Sequence, residues 1–475
     1  MTDSRSRHSS ALRLGASLAM LGALAGCSLI PAYERPAAPV PERFAGVGDT
    51  QAAALPPWQE YFPDPALHTL IQAALDNNRD MRIALARVEE ARGLAGIARA
   101  DRFPTLDAQG SATRGRTPAD LSGTGQARTG GRYDAGLGVT AFELDFWGRV
   151  AALSEAARAQ YLASDEAAKS FRVSLIGDVA TTWYQLAELV ERERLAHDTL
   201  KNRQDSLDLT RKRRDAGLAT DLDVLTAESL VESLRAQWID IRRQRMQTEN
   251  ALSLLTGMSV TLPTPTEASS QAALTELAPG LPSAVLLQRP DVRAAEQRLI
   301  AANANVGAAR AAFFPRISLT GSLGTASAAL SGLFDAGSGA WLFNPVLKLP
   351  LFDAGRTRAN VDVAEARKVV AVADYEKTVQ QAFREVADAL AARATYGEQL
   401  TAQEANLRAQ QARLERVKAR EDAGIASYLE VLDASRDAFN AEQTLVTTRR
   451  QVLTTGVALY KALGGGVEAH SDATR

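Results

Sequence analysis

Between Arg149 and Arg214 apolar residues recur at spacings of three and four, as in Val173, Ile176, Ala180, Trp183, Ala187 and Val190. The rhythm returns in Val379, Phe383, Val386 and Leu390. Such spacing marks one stripe along an α-helix, the pattern of a coiled-coil seam. No proline falls between Arg149 and Arg214, and Gly177 is the one glycine there. The pattern therefore predicts a single helix of about 65 residues, or roughly 100 Å at 1.5 Å per residue. The Trp and Phe within these stripes read as packed core.

Elsewhere the period drops to two. Leu106, Ala108, Gly110 and Ala112 alternate with Thr105, Asp107, Gln109, Ser111 and Thr113, and Ile317, Leu319, Gly321 and Leu323 alternate with Ser318, Thr320, Ser322 and Gly324. These segments predict strands over about 104–116 and 315–328, with partners over about 132–145 and 341–352 that alternate less cleanly. Their length suits tilted strands crossing a bilayer. Phe103, Phe146, Trp147, Phe314 and Phe352 stand at the helix side of this band, and Tyr133 and Trp341 at the loop side. Two aromatic girdles of this kind mark two membrane interfaces. On patterning alone, two hairpins of a soluble sandwich show the same alternation.

The elements are written twice. Pro104 matches Pro315, an offset of 211, whereas Gly148 matches Gly355, Gly217 matches Gly424 and Gly257 matches Gly464, an offset of 207. Each repeat reads as helix, strand, loop, strand, long helix, tight turn, helix. The four-residue change is assigned to surface loops at 117–131 and 330–339, rich in Gly, Ser and Thr. The expected organisation is a first repeat over 66–257, a Pro-containing linker over 258–283, a second repeat over 284–464 and a tail over 465–475. A Pro-rich arm over 27–65 precedes them.

The N-terminus reads as an export signal over 1–26, with Arg5, Arg7 and Arg13 before an apolar stretch from Leu14 to Ala25. Cys27, the sole cysteine, follows Leu24, Ala25 and Gly26, which resembles the bacterial lipobox and makes it an acylation site. Acyl chains contribute roughly 0.8 kcal/mol per buried methylene to holding an N-terminus in a leaflet. Ser28 follows where an inner-membrane retention signal would place Asp, so sorting to the outer membrane is implied by resemblance. The full chain carries a formal charge of −2, and the +2 of residues 1–26 leaves −4 for the mature chain. No basic excess points to nucleic acid.

Four strands cannot close a membrane barrel, because an open edge in lipid leaves backbone groups without partners. Several copies must share one barrel. Three would supply twelve strands and two would supply eight, and the pattern alone does not choose between them.

Catalytic constellations are missing. The four histidines, His8, His68, His197 and His470, make no spaced metal site, and the run Gly464 to Gly466 follows a helix where a phosphate loop precedes one. The reading contains no enzyme, no cofactor and no metal. Hydrophobic residues make up 46% but aromatics only 6%, so Ala, Leu and Val dominate, as in closely packed long helices. A structural coiled-coil lipoprotein is the rival from another class, and the duplicated strand pairs argue against it.

Together these features resemble the outer membrane factor family of TolC-like and OprM-like channels, and most closely the NodT family of resistance-nodulation-division efflux lipoproteins. The likeness spans nearly the whole mature chain. Its most specific pieces are the turns at Asp215 to Glu228 and Asp422 to Ala434, with Gly217 and Gly424 followed by Asp223-Val224-Leu225 and Glu430-Val431-Leu432. The C-terminal Leu459 to Gly466 is also family-like. The resemblance implies a mixed helix-and-strand membrane protein: a homotrimer with a twelve-stranded barrel and a long periplasmic helical tunnel. It also implies docking on a periplasmic membrane-fusion adaptor and an inner-membrane transporter of the resistance-nodulation-division class. A duct for protein secretion uses the same fold and is the alternative.

A glycine between two long helical patterns supplies the left-handed conformation that reverses the chain, so Gly217 and Gly424 read as hairpin tips. With Leu218 and Ile425 they are the expected adaptor-docking positions. Glu430 and Asp433 share one helix face just after the second turn, and a threefold axis would gather six carboxylates there. Two solvated acids near a helix N-terminus fit the residues equally well. TolC-like channels carry an acidic pair at these two positions and an acid matching Asp223, which implies a periplasmic gate. Ala426 and Glu421 stand where a TolC-like latch has arginine and tyrosine, so the resemblance carries over the acidic ring and leaves the latch open.

Overall fold

The computed structural model describes residues 28–44, 55–257, 263–266, 269, 274 and 283–466. The signal over 1–26, Cys27, most of the linker over 258–283 and the tail beyond Gly466 lie outside the described residues. The first round of elements is α1 (Trp58–Tyr61), α2 (Pro65–Asn77), α3 (Arg79–Ala100), β1 (Leu106–Thr117), β2 (Arg128–Leu144), α4 (Arg149–Asp215) and α5 (Asp221–Thr256). The second is α6 (Pro290–Ala311), β3 (Arg316–Ser327), β4 (Gly339–Lys348), α7 (Arg356–Asp422) and α8 (Tyr428–Ala462). Helices α4 and α7 are each 67 residues long.

The two compact units of the chain do not follow the repeats. Among the described residues, one holds Val88–Ser164 and Ala294–Tyr375 with 28–37, and the other holds those within Ala38–Arg87 and Asp165–Arg293 together with 376–466. Each therefore takes half of each repeat. The first contains all four strands.

In the second unit, packing centres on aromatic rings that the long helices bring to the arm. Tyr61 stacks on Tyr460 with ring centroids 4.6 Å apart, and its hydroxyl donates to the Gly456 carbonyl at 2.9 Å. Trp183, wholly buried, donates its indole N–H to Asp64 at 2.9 Å. Burial on α4 is wider than the predicted seam. Leu175, Val179, Tyr184, Leu186 and Leu189 are buried beside Ile176, Ala180, Trp183 and Ala187, while Val173 and Val190 are half-buried. A stripe at spacings of three and four records one neighbour, and here α4 is enclosed on further sides. Glu188 of this helix, almost fully buried, accepts from Thr447 at 2.9 Å and pairs with Arg192 and Arg450. The α7 seam is narrow, with Val379, Ala382, Val386 and Ala389 buried and Phe383 stacked on Phe44.

In the first unit, β1, β2, β3 and β4 form one antiparallel sheet in chain order. Its register sorts side chains by polarity, because residues directly opposite share a face. Leu106, Val139, Gly321 and Phe343 form one row, and Ala108, Leu137, Leu323 and Trp341 form another on the same face. Ser111 lies opposite Asp134 and Thr113 opposite Arg132 on the other face. Strand β2 changes phase at a bulge between Val139 and Phe142, where Ala141 has φ 52° and donates its N–H to Thr320 Oγ1 at 3.1 Å. Strict alternation would set Glu143 among the apolar rows. The extra residue instead brings Phe142 opposite Leu319 and Leu144 opposite Ile317, and turns Glu143 to the polar side.

The same strand corrects the placement of the length change between repeats. Residues 118–127 and 328–338 join the hairpins, so the loops are of nearly equal length, whereas β2 has 17 residues and β4 has 10. Strand β4 stops at Lys348, short of the expected 352, because Pro350 offers no N–H to a ladder. At the centre of the sheet Gly136 lies opposite Gly324. A Cβ on Gly324 would stand 2.1 Å from the Ala135 carbonyl oxygen, so the strands approach more closely than any side chain allows.

Gly324→Val should therefore force β2 and β3 apart, at a cost of about 1–3 kcal/mol or more. Gly115→Ala, where a Cβ meets open space, should be tolerated. Heat-modifiable migration of the assembled protein on gels measures both, and equal assembly of the two variants would contradict the close approach.

Candidate functional site

Two places in the fold carry the candidate site residues. The first is the sheet. Among the described residues nothing covers its apolar face: Leu106 is 66% exposed, Leu323 72% and Trp341 76%. An apolar face this wide marks a surface made for another apolar phase. Phe103, Phe146, Phe314 and Phe352 are exposed at the helix end. Trp147 is held differently, half-buried, stacked on Phe314 at 4.6 Å and donating to the Pro315 carbonyl at 2.9 Å. At the loop end Tyr133 and Trp341 stand on the apolar face in different rows, Tyr133 opposite Ala112 and Trp341 opposite Leu323. On the polar face Glu143 accepts two hydrogen bonds from Arg149, at 2.8 and 2.7 Å, and lies 3.4 Å from Arg316. This cluster ties the feet of β2, β3 and α4 together.

The second place is the pair of helical tips, which repeat one local design. Gly217 and Gly424 have φ of 75° and 72°. Before each glycine the helix ends in paired backbone bonds, Gly217 N–H to Arg214 and Leu218 N–H to Arg213, matched by Gly424 N–H to Glu421 and Ile425 N–H to Arg420. After each, the next helix opens with a capping box. Thr220 and Asp223 exchange side-chain and backbone bonds at the start of α5, as do Ser427 and Glu430 at the start of α8. The reversal thus satisfies the end groups of both helices within a few residues. Leu218 and Ile425 are left pointing out, 78% and 68% exposed.

Each capping carboxylate spends a single oxygen. Asp223 accepts through Oδ2 and Glu430 through Oε1. The Thr220 hydroxyl and N–H hold the Asp223 carboxyl below its ordinary value, and the Ser427 N–H and hydroxyl do the same for Glu430. Asp433 pairs with Arg436 at 3.3 Å.

Sequence reasoning missed the links between the two tips. Arg213 near the end of α4 donates to Glu421 at the end of α7 at 3.1 Å, and Ser206 is hydrogen-bonded to Tyr428. Opposite charges in the last turns of the two longest helices were the available signal. Local spacing does not show which of many charges meet.

The outer membrane efflux protein family matches residues 70–258 and 281–465. The solvent efflux pump outer membrane protein SrpC of Pseudomonas putida is 48% identical over 458 residues, covering 94% of this chain and 97% of its own. Outer membrane protein OprJ of Pseudomonas aeruginosa is 46% identical over 450 residues, covering 93% of this chain and 94% of its own. Among solved structures, the open state of the MtrE outer membrane channel of Neisseria gonorrhoeae has a TM-score of 0.84 at 37% identity, covering 93% of this chain and 99% of its own. The chain belongs to the outer membrane efflux protein family. It is an outer-membrane efflux channel with the mixed helix-and-strand fold of TolC-like channels, a family of transport proteins rather than enzymes.

The capping boxes make the tips sensitive to acid. Because both carboxyls are held low, their contribution is complete above their ordinary values and is lost as pH falls through the lowered ones. Hydrogen-exchange protection of the first turns of α5 and α8 should hold from pH 6 down to the ordinary carboxylate range and be lost as pH is lowered beyond it. Asp223→Asn and Glu430→Gln should already show the low value at pH 6. Protection unchanged below that range would contradict the role assigned to the caps.

Proposed function

We propose that three copies of this chain join edge to edge into a twelve-stranded barrel that serves as the exit duct of a tripartite efflux pump. A periplasmic membrane-fusion adaptor and an inner-membrane transporter of the resistance-nodulation-division class supply the other two parts. The observation that carries the reading is the sheet, whose one face is apolar and exposed and whose β1 and β4 each have an unpaired edge. Pairing β4 of one copy with β1 of the next satisfies both edges at once. The apolar rows then face lipid and the polar rows line a water-filled path. Small molecules are the cargo, in keeping with relatives named for solvent and toluene efflux.

The repeat boundaries at 66–257 and 284–464, the linker between them and the N-terminal arm belong to the same reading. Phe103, Phe146, Trp147, Phe314 and Phe352 form the periplasmic girdle, and Tyr133 and Trp341 the outer one. Cys27 carries the lipid anchor, an assignment that palmitate labelling of the parent and of Cys27→Ser reads directly. Gly217, Leu218, Gly424 and Ile425 dock the adaptor, supported by two matching tips that each leave one large apolar side chain in solvent. Photo-crosslinkers placed at Leu218 and Ile425 in cells should capture the adaptor, and their capture of no periplasmic protein would remove the docking assignment.

Glu430, Asp433 and Asp223 form the acidic periplasmic gate. Capping does not exclude this role, since Glu430 keeps its second oxygen out of the cap. The test is single-channel recording in planar bilayers. The parent should conduct with cation preference and be blocked by divalent ions, and Glu430→Ala with Asp433→Ala should lessen both. A double variant that selects and blocks like the parent would rule the gate out, and a parent that does not conduct would rule out the duct.

A further inference from the structure

Arg114 and Arg116 lie on the apolar face of β1, in line with Leu106, Ala108, Gly110 and Ala112. Both are exposed, and among the described residues neither forms an ion pair. Arg132, opposite Thr113 on the polar face, is bound to Asp134 at 2.9 Å. On the polar face Arg132 and Arg316 have carboxylate partners, whereas Arg128 at the loop end has none among the described residues; on the lipid side Arg114 and Arg116 are both bare.

Depth decides what such residues are for. A guanidinium facing hydrocarbon is costly at the middle of the bilayer and nearly free at its surface. From Phe103 to Ala112 an extended chain tilted by roughly 40° climbs about 23 Å, close to the ~25 Å apolar band of outer-membrane barrels. Arg114 and Arg116 thus stand just above the band on the loop side, where lipid head groups lie. Opposite them on β2 are Gly131 and Thr129, so no bulky neighbour crowds the two side chains.

We propose that Arg114 and Arg116 bind the phosphate groups of the phosphorylated glycolipid of the outer leaflet, lipopolysaccharide. Guanidinium groups grip phosphate oxygens through paired N–H bonds, and two of them at adjacent outward positions match a headgroup carrying more than one phosphate. The site sits at the barrel's outer rim and is separate from the conduction path. It rests on the barrel reading above, with the loops outside.

The experiment uses the full-length assembly, purified in non-ionic detergent, stripped of lipid and heated with added ligands while its dissociation is followed on gels. Bis-phosphorylated lipid A should raise the dissociation midpoint by several degrees. Dephosphorylated lipid A should raise it much less, and inorganic phosphate hardly at all. R114Q/R116Q should lose the phosphate-dependent part of the shift while dissociating like the parent without lipid, and R114K/R116K should keep some of it. Equal shifts for the two forms of lipid A in the parent would overturn the proposal, even if the glutamine variant fails to assemble. So would equal shifts in parent and glutamine variant, or a full shift with inorganic phosphate alone. Conductance of the same preparations in planar bilayers separates loss of this site from failure of the duct itself.

Discussion

Everything else in this structure depends on the unpaired backbone along β1 and β4. In hydrocarbon a peptide N–H or carbonyl without a partner costs several kcal/mol, and each edge strand carries a row of them. The face they border is apolar, with Leu106, Leu323, Trp341 and Phe343 exposed, so the sheet belongs in lipid. A single copy cannot satisfy both requirements. Repeating the chain around an axis does, and it makes oligomerisation a condition of membrane residence.

The remaining features prepare the sheet for that closure. The bulge at Ala141 keeps the lower end of β2 in phase, so that Phe142 and Leu144 join the apolar rows and Glu143 joins the polar ones. Gly136 and Gly324 let the middle strands approach closely at the centre. Glu143, bound by Arg149 and near Arg316, fastens the sheet's lower end to the start of α4. Function follows from the sorting itself. Lining a path with Ser111, Thr113 and the Arg132 and Asp134 pair suits passage of solutes through water.

Much of this was legible in the sequence because it is written in local periods. Alternation revealed β1 and β3, since each turns one apolar face outward, and spacings of three and four revealed α4 and α7. Gly217 and Gly424 were readable as tips because the required backbone angle has few other occupants. What was misread depends on partners distant in sequence. The α4 stripe recorded one neighbour and hid the others that bury Tyr184, Leu186 and Leu189. The irregular alternation of β2 conceals a bulge, and a length difference between repeats reads as a loop insertion because loops usually absorb insertions. The capping boxes Thr220 to Asp223 and Ser427 to Glu430 are visible as patterns, but the same acids read equally well as charges gathered near an axis. Arg213 and Glu421 meet across about two hundred residues, a distance over which spacing carries no information.

The number of chains that share one barrel is the quantity on which the picture stands, and native mass spectrometry of the complex extracted in mild detergent measures it directly. The proposed twelve-stranded barrel, closing the open four-stranded sheet with its own copies, predicts a complex of three chains that falls to single chains only under denaturing heat, and two chains would contradict that number. A folded, membrane-extracted single chain would show that the edges of β1 and β4 are satisfied in some other way and would contradict a shared barrel.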